Sequence, residues 1–205
     1  MKARWTTELQ TPWAFLHAPR VSLLVVATAL LVLASLSEPV SARQTVFSTE
    51  AGHVRFDSRM PLHAFHGTSE QLVGQISLAD STVDFFIDLA TLDTGNGKRD
   101  KDMRSTLEVD EYPFAEYLGK LVTPFDEASS DPQPATTRGT FTIHGISREV
   151  EISGTLQRTV EGLLLTAEFD VRLEDHEIVP PRMLLMKVRD VQEVSIDVAL
   201  TPVEG

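Results

Sequence analysis

Residues that could hold a metal ion are present in the chain, but their spacing does not complete a metal site. His63 and His66 stand three residues apart and could share a metal ion, yet the sequence nominates no third ligand for it. Asp93, Asp100 and Asp102 lack the alternating ligand spacing of a calcium loop. We therefore expect no metal ion and no cofactor, and we interpret these residues as loop, turn and helix-cap positions.

Motifs for nucleophilic catalysis and phosphate binding are also incomplete. Ser147 lies three residues after His144, but it is not in a nucleophile elbow and no base partner is identified for it. Gly97-Lys98 resembles the end of a phosphate-binding loop, but Arg99 stands where that loop requires Ser or Thr. We expect no catalytic residues. A hydrolase or isomerase is a less favoured alternative, which a buried His144 beside a carboxylate and facing a cavity would support.

The segment that contains most of these charged residues has the pattern of a strand, a turn and a short helix. Residues 83–92 alternate apolar with mostly polar side chains, which is the period of a strand with one face in a core. Residues 95–97 tolerate positive φ and favour a sharp turn. Asp100 then suits the N-cap of a helix in which Met103 and Leu107 share one face. We expect this helix to act as a lid or plug.

Similar alternation recurs through most of the chain after residue 42. The longest alternating runs are residues 163–173 and 194–200, and the prolines within residues 123–138 indicate a loop between two strands. Strands with one apolar face and short connections are typical of an antiparallel meander. About eight such strands can close into a barrel that is filled or holds one small ligand. We expect the turns at Gly139, Gly145, Gly154 and Gly162.

The first 42 residues have the features of an export signal. Basic residues precede an uncharged apolar run over residues 21–36, and Val40-Ser41-Ala42 has the small-residue spacing of a signal-peptidase site. The run is shorter than the roughly 20 residues that span a bilayer, which favours a cleaved signal peptide, residues 1–42, over an uncleaved signal anchor. We expect one domain over residues 43–205 in the periplasm. The chain has no cysteine, so no disulfide stabilises that domain.

The charge of the chain limits its partners. A formal net charge of −12 repels the phosphate backbone of nucleic acids and the surface of anionic lipids. We therefore expect no nucleic-acid partner and no membrane binding through a basic patch. Because the acidic residues are spread along the chain, we interpret them as a solvated surface.

Apolar and aromatic residues predicted to face inward are the most numerous candidates for a function. Core packing explains most of them at least as well as contact with a ligand, because periodicity alone cannot separate the two. Methionines within residues 183–186 add flexible apolar surface that adapts to an elongated guest or fills gaps. The predicted ligand-binding residues are Phe56, Phe65, Phe85, Ile87, Phe114, Phe141, Ile143, Leu165, Phe169, Met183, Met186, Val194 and Ile196.

Four segments of the chain together resemble the YceI-like family. One pair is IDLATLDTG with RDKDM and EYP, within residues 87–113, and GTFTIHGISREV at residues 139–150. The other pair is FDSRMPLHAFHGTSEQLVG at residues 56–74 and FDVRLEDHEIVPP at residues 169–181. The resemblance implies an all-β fold, an antiparallel lipocalin-like barrel of about eight strands with a short helix near one end. It also implies that the protein is exported and holds a polyisoprenoid or similar long amphipathic lipid in its interior.

The resemblance implies general roles for two groups of residues, since the family offers no single catalytic set to carry over. The first group frames the turn and the helix, and the second forms the later motif. The groups are Asp88, Thr94, Arg99 and Asp100, and Thr142, His144 and Gly145.

Our leading hypothesis is an exported, non-enzymatic binding protein that sequesters or carries an isoprenoid or quinone-like lipid inside the barrel. Its partner is then an isoprenoid or other long-chain lipid. Transient membrane contact during ligand exchange and a homodimer are left open. The alternative is a filled barrel that acts as a periplasmic protein-interaction module without a ligand, and the volume of the interior separates the two.

Overall fold

The computed structural model describes residues 46–59, 63–180, 182–183 and 186–203, without the side chains of residues 182, 183, 186 and 187. The predicted leader, residues 1–42, lies outside the described residues. The helix α1 spans Gly97–Thr106, and two 3₁₀ helices span Leu89–Thr91 and Leu173–His176. The strands are β1 (Val46–Arg59), β2 (Ala64–Ser77), β3 (Thr82–Asp88), β4 (Phe114–Leu121), β5 (Gln133–Ile143), β6 (Ile146–Arg158), β7 (Leu163–Arg172), β8 (Arg182–Met183), β9 (Met186–Lys187) and β10 (Val191–Pro202).

Eight of these strands form a closed antiparallel barrel. Strands β2 to β7 pair in chain order, β7 pairs with β10, and β1 lies between β10 and β2 and closes the ring. Strands β8 and β9 form a separate two-stranded sheet. The expected all-β barrel of about eight strands with one short helix is therefore confirmed. Among the described residues, no helix combines the length and apolar character needed to cross a membrane.

The two ends of the barrel differ. Helix α1 lies in the connection between β3 and β4, where Asp88 pairs with Phe114. We call this the helix end; the β5–β6 turn and the connection from β7 to β10 lie there too. The opposite end, which we call the far end, contains the start of β1 and the β6–β7 turn. Many of the largest fully buried side chains belong to the half of the barrel near the far end, namely Phe47, Ile76, Leu156, Leu163, Val198 and Leu200.

The strand predicted at residues 83–92 is shorter than expected. Strand β3 ends at Asp88, and a 3₁₀ helix follows directly. The Asp88 carboxylate accepts a hydrogen bond from Ala90 N at 2.8 Å, and the Thr91 hydroxyl donates to Asp88 O at 2.7 Å. These local side-chain bonds offer the backbone an alternative to the strand ladder, which explains the early end of the strand.

Helix α1 is present as expected, but its N-cap is Asn96 rather than Asp100. Asn96 Oδ1 accepts hydrogen bonds from the backbone N–H groups of Lys98 and Arg99, at 3.1 and 3.2 Å. Asn and Asp are equally good caps, so the residue that stands directly at the end of the turn takes this role. Asp100 lies inside the first turn of the helix, where an acidic side chain also suits the helix dipole.

The predicted turn glycines divide into two kinds. Gly145, with φ of 71°, and Gly162 lie in turns as expected. Gly139 and Gly154 instead lie inside β5 and β6, where a Cβ atom would collide with the backbone of the neighbouring strand. Close approach between strands, rather than a turn, explains these two glycines. Because β5 already begins at Gln133, the connection expected over residues 123–138 is limited to residues 122–132.

Candidate functional site

The inward faces of the barrel strands enclose a cavity of about 640 Å³. Alternation along β1 shows how the wall is built, since Val54, Phe56 and Ser58 line the cavity while Arg55 and Asp57 pair with each other by a salt bridge. The volume lies within the range of about 300–1,000 Å³ that small-molecule sites occupy. The interior can therefore receive a ligand and is not filled by side chains alone.

Most of the predicted ligand-binding residues line this cavity. Their direct contact with a ligand stays a prediction. Two aromatic pairs stand in the wall with their rings edge to face. The centroids of Phe56 and Phe65 are 6.2 Å apart, and those of Phe141 and Phe169 are 5.9 Å apart. The predicted residues in the wall are Phe56, Phe65, Phe85, Ile87, Phe141, Ile143, Leu165, Phe169, Val194 and Ile196.

Phe114 does not belong to this wall. Its side chain is 42% exposed, and its ring packs against the ring of Phe86 with 5.7 Å between centroids. Ala115 and Tyr117 occupy the inward positions of β4, so alternation turns Phe114 outward. The expected inward orientation of Phe114 was wrong because the register of β4 places its first residue on the outer face.

Met183 and Met186, also predicted to bind the ligand, have side chains outside the described part of the chain. Their backbones pair with each other in the sheet formed by β8 and β9. The described residues Pro180 and Val188, which flank this sheet in sequence, line the cavity. The connection from β7 to β10 therefore contributes to the cavity wall, and a role for the two methionines stays a prediction.

Helix α1 and the turn before it are fixed by hydrogen bonds centred on Thr94. The Thr94 hydroxyl donates to Asp100 Oδ1 at 2.5 Å, and Arg99 donates to Thr94 Oγ1 and Thr94 O, both at 2.8 Å. The Arg99 guanidinium also lies 4.6 Å from the centroid of the Phe65 ring in the cavity wall. These contacts hold the helix against the cavity, which it lines with Lys98, Arg99, Asp102, Met103 and Thr106, and its C-cap Leu107 lines the cavity too.

The ionisation of Asp100 is tied to this network. The hydrogen bond from the Thr94 hydroxyl lowers the pKa of Asp100 below its ordinary value and outweighs desolvation, which acts in the opposite direction. The backbone N–H of Thr94 adds to the lowering with a second bond at 3.0 Å. Asp100 is therefore a carboxylate at neutral pH, as its role as acceptor requires.

The far end of the barrel is closed on one side by packed side chains. Phe47 is fully buried there, and the Arg158 guanidinium lies 4.8 Å from the centroid of its ring. Leu163 and Leu200 are buried beside them on β7 and β10. None of these four described residues lines the cavity. The cavity is therefore bounded by packed core at this corner and by helix α1 at the other end.

Apolar side chains outnumber polar ones in the cavity wall, and the polar Tyr117 has a hydrogen bond within the protein. The Tyr117 hydroxyl donates to Thr137 Oγ1 at 2.7 Å. Burial raises the pKa of Tyr117, so this hydroxyl keeps its proton at neutral pH. Tyr117 and Thr137 therefore satisfy each other across β4 and β5.

Ser58 and Gln192 are two further polar residues of the wall, and the sequence analysis missed both. The alternation of the strands could have identified both, because every second residue faces inward. Ser58 follows the inward residues Val54 and Phe56 at this spacing, and Gln192 precedes the inward residues Val194 and Ile196. A search restricted to apolar residues passes over such positions. Ser58 is 1% exposed and Gln192 is 8% exposed, so both are inside the barrel.

An enzyme would be supported by a buried His144 that lies beside a carboxylate and faces the cavity, and only part of this condition is met. His144 has 14% of its side chain exposed, and its Nε2 lies 3.2 Å from Glu108 Oε2. Its Nδ1 lies 3.1 Å from His176 O, so the residue joins three connections at the helix end. His144 is not among the described residues that line the cavity. A histidine and carboxylate in this position tie loops together and are not part of the described cavity wall.

A metal site is not apparent in the described part of the chain. Within residues 46–59, 63–180, 182–183 and 186–203, no three His, Asp or Glu side chains are grouped so that they could hold an ion. His63 lines the cavity at the helix end, whereas His66 stands opposite Asp57 in the pairing of β1 with β2. Their spacing of three in sequence therefore does not create a site among these residues.

Comparisons with solved structures identify the same fold. A polyisoprenoid binding domain from Saccharophagus degradans, described as implicated in plant cell wall breakdown, is 16% identical with a TM-score of 0.64, over 78% of this chain and 99% of that chain. BcnA of Burkholderia cenocepacia is 13% identical with a TM-score of 0.60, over 73% and 94% of the two chains. The YCEI protein of Campylobacter jejuni is 17% identical with a TM-score of 0.51, over 66% and 81%.

The sequence itself carries the assignment to a family. No curated protein was found to match the chain. The family model described as the YceI-like domain matches residues 43–200. This range contains all the barrel strands except the last two residues of β10. On this match, the chain belongs to the YceI-like family.

Proposed function

We propose that the protein is a non-enzymatic binding protein that holds a long amphipathic lipid, of isoprenoid or quinone-like type, in the barrel cavity. The observation that carries this proposal is the cavity of about 640 Å³ with a wall built mainly from apolar side chains. Membership of the YceI-like family and the description of its Saccharophagus degradans relative as polyisoprenoid binding support it.

The apolar wall favours a long hydrocarbon chain over a compact polar ligand. Each methylene group removed from water contributes about 0.8 kcal/mol, which corresponds to about a fourfold decrease in Kd per methylene. Phe85 and Ile87 on β3 and Ile152 on β6 supply such surface deep in the barrel. Affinity should therefore rise with chain length until the cavity is filled.

The cavity also supports this function over the two alternatives. A filled barrel that acts only as an interaction module does not need an interior of this volume. A hydrolase or isomerase needs titratable groups that converge on the ligand, whereas His144 and Glu108 meet outside the described cavity wall. The binding function is the one that uses the interior.

Export completes the proposal. The basic residues, apolar run and Val40-Ser41-Ala42 of the leader support cleavage after residue 42 and action in the periplasm. The N-terminal sequence of the protein recovered from its native compartment tests this part, and the expected first residue is Arg43. Recovery of the intact chain in the membrane fraction would instead support a signal anchor.

The binding function is tested by extracting the protein, purified from its native compartment, with organic solvent and analysing the extract by mass spectrometry. We expect a long-chain lipid in the extract and saturable uptake of isoprenoids in a titration. Absence of both would refute the proposal.

A variant that fills the cavity provides the matched comparison. Ala167 lines the cavity on β7, so Ala167→Phe places a ring inside the barrel and should abolish uptake. Ala199 lies exposed on the neighbouring strand β10, so Ala199→Phe adds the same ring outside and should leave uptake unchanged. Equal uptake by both variants would place the ligand outside the barrel.

A further inference from the structure

One serine of the cavity wall has a hydroxyl with no hydrogen-bond partner among the described residues. Ser58 lines the cavity and is 1% exposed, and its Oγ finds no partner in the described part of the chain. Buried polar side chains are nearly always hydrogen-bonded, so an unpaired one needs a specific explanation. Because Ser58 lines a ligand-sized cavity, an oxygen of a bound ligand is the simplest source of the missing bond.

A second polar residue stands beside Ser58. Strands β1 and β10 pair Asp57 with Glu193, so Ser58 and Gln192 are the next residues of the two strands and both face inward. Gln192 is 8% exposed and its Nε2 donates to Arg189 O at 2.6 Å. The two side chains form a neutral polar patch at the helix end of the wall, which we call the Ser58–Gln192 patch.

The wall becomes apolar directly beyond this patch. The next inward pair along the two strands is Phe56 with Val194, followed by Val54 with Ile196. A ligand whose oxygen meets Ser58 would thus lay its chain along these residues toward the far end. Along β1 and β10, the wall therefore has the polarity of a lipid with one polar terminus.

The neutral character of the patch selects the kind of polar group. Burying a charge without a counter-charge costs far more than burying a hydroxyl or carbonyl that is hydrogen-bonded. Neither Ser58 nor Gln192 supplies a counter-charge. His63, Lys98 and Arg99 also line the cavity at the helix end, and Arg99 already donates to Thr94 Oγ1 and Thr94 O. A hydroxyl or carbonyl oxygen therefore fits the patch better than a phosphate.

We propose that Ser58, with Gln192 beside it, binds the neutral hydroxyl or carbonyl group at the polar end of the long-chain lipid. The proposal rests on the proposed function, since it names the polar group that the cavity recognises. It assigns the orientation of the ligand as well, with the oxygen at the helix end and the chain toward the far end.

The test compares two ligands that differ only in this group. Phytol is a branched isoprenoid alcohol, and phytene is the hydrocarbon with the same carbon skeleton. The wild type should bind phytol about tenfold more tightly than phytene, the effect expected when a buried hydroxyl gains its missing hydrogen bond. Ser58→Ala should bind both ligands equally, with the affinity for phytene unchanged. Ser58→Cys, close to serine in size but a weaker hydrogen-bonding group, should lose most of the preference.

Ser69→Ala is the matched control. Ser69 is also buried, on the adjacent strand β2, but its Oγ is bonded to Thr91 Oγ1 at 2.7 Å and it does not line the described cavity. This variant should keep the tenfold preference for phytol. Equal affinity of the wild type for the two ligands, or an undiminished preference in Ser58→Ala, would overturn the role of Ser58 while the binding function stands.

Two further outcomes separate the neutral group from its alternatives. If phytyl phosphate binds more tightly than phytol and Ser58→Ala removes that advantage, the patch recognises an anion and the neutral assignment is wrong. If neither phytol nor phytene binds, and no other long-chain lipid binds either, the proposed function itself fails. Binding of phytol with loss of its advantage in Ser58→Ala supports both proposals.

Discussion

Replacing Ser58 with alanine should stabilise the lipid-free protein, whereas the same change at Ser69 should destabilise it. Both serines are buried on neighbouring strands, at 1% and 5% exposure. Ser58 Oγ has no partner in the described structure, so its removal relieves the cost of an unsatisfied hydroxyl, about 1 kcal/mol. Ser69 Oγ is bonded to Thr91 Oγ1 at 2.7 Å and accepts from Gln71 N at 3.1 Å. Losing two bonds of about 1 kcal/mol each should cost about 2 kcal/mol.

Urea unfolding of lipid-free protein, prepared by refolding after solvent extraction, measures the two effects. We expect the midpoint to rise for Ser58→Ala and to fall for Ser69→Ala, with the dependence on urea unchanged in both. For a domain of this size, the melting temperature should rise by about 3 °C in the first variant and fall by about 6 °C in the second. An equal loss of stability in both would show that Ser58 Oγ is satisfied in the folded protein, and the argument for a ligand oxygen beside it would then fail.

Two other predictions concern the frame of helix α1. Asn96→Ala should lower the free energy of unfolding by about 1 kcal/mol, because two backbone N–H groups lose their acceptor. Asn96→Asp keeps an acceptor and should be nearly neutral. Equal effects of the two changes in urea unfolding would contradict the role of Asn96 as N-cap. The pKa of Asp100 is lower in the folded state than in the unfolded state. Ionised Asp100 therefore stabilises the fold fully above its unfolded pKa of about 3.9, and this stabilisation is lost as the pH falls through its lower folded pKa. The wild type should therefore lose stability below about pH 4 more steeply than Asp100→Asn, and the exposed Asp102→Asn should follow the wild type.

The alternation of side chains predicted the barrel because each strand has one face in the interior and one in water. Residues such as Phe85 and Ile87, or Val194 and Ile196, fall on the inward face in the sequence pattern and line the cavity in the structure. The pattern could not give the volume of the interior, since core residues and cavity-lining residues have the same periodicity. Only the three-dimensional packing separates Phe47, which fills the far end, from Phe56, which borders open space.

The details that sequence analysis missed depend on register and on competition between neighbouring residues. Phe114 faces outward because β4 starts at that residue, and a shift by one position reverses every side chain of a strand. Asn96 and Asp100 are equally suitable as caps, so the exact end of the preceding turn decides between them. The sequence pattern predicts a turn at Gly154, because the close approach of Thr166 O on the next strand has no signal in the local sequence.

Closure of the ring by β1 and β10 has a consequence for how the protein can meet other molecules. Each of the eight described barrel strands is hydrogen-bonded to a neighbour on both sides along at least part of its length, so none of them is free along a whole edge for a partner or a second copy to add a strand. Association through side chains on the outer surface of the ring is then favoured. The pair formed by Phe86 and Phe114, with the exposed Leu118 on the same strand as Phe114, is a place where such contacts can be sought.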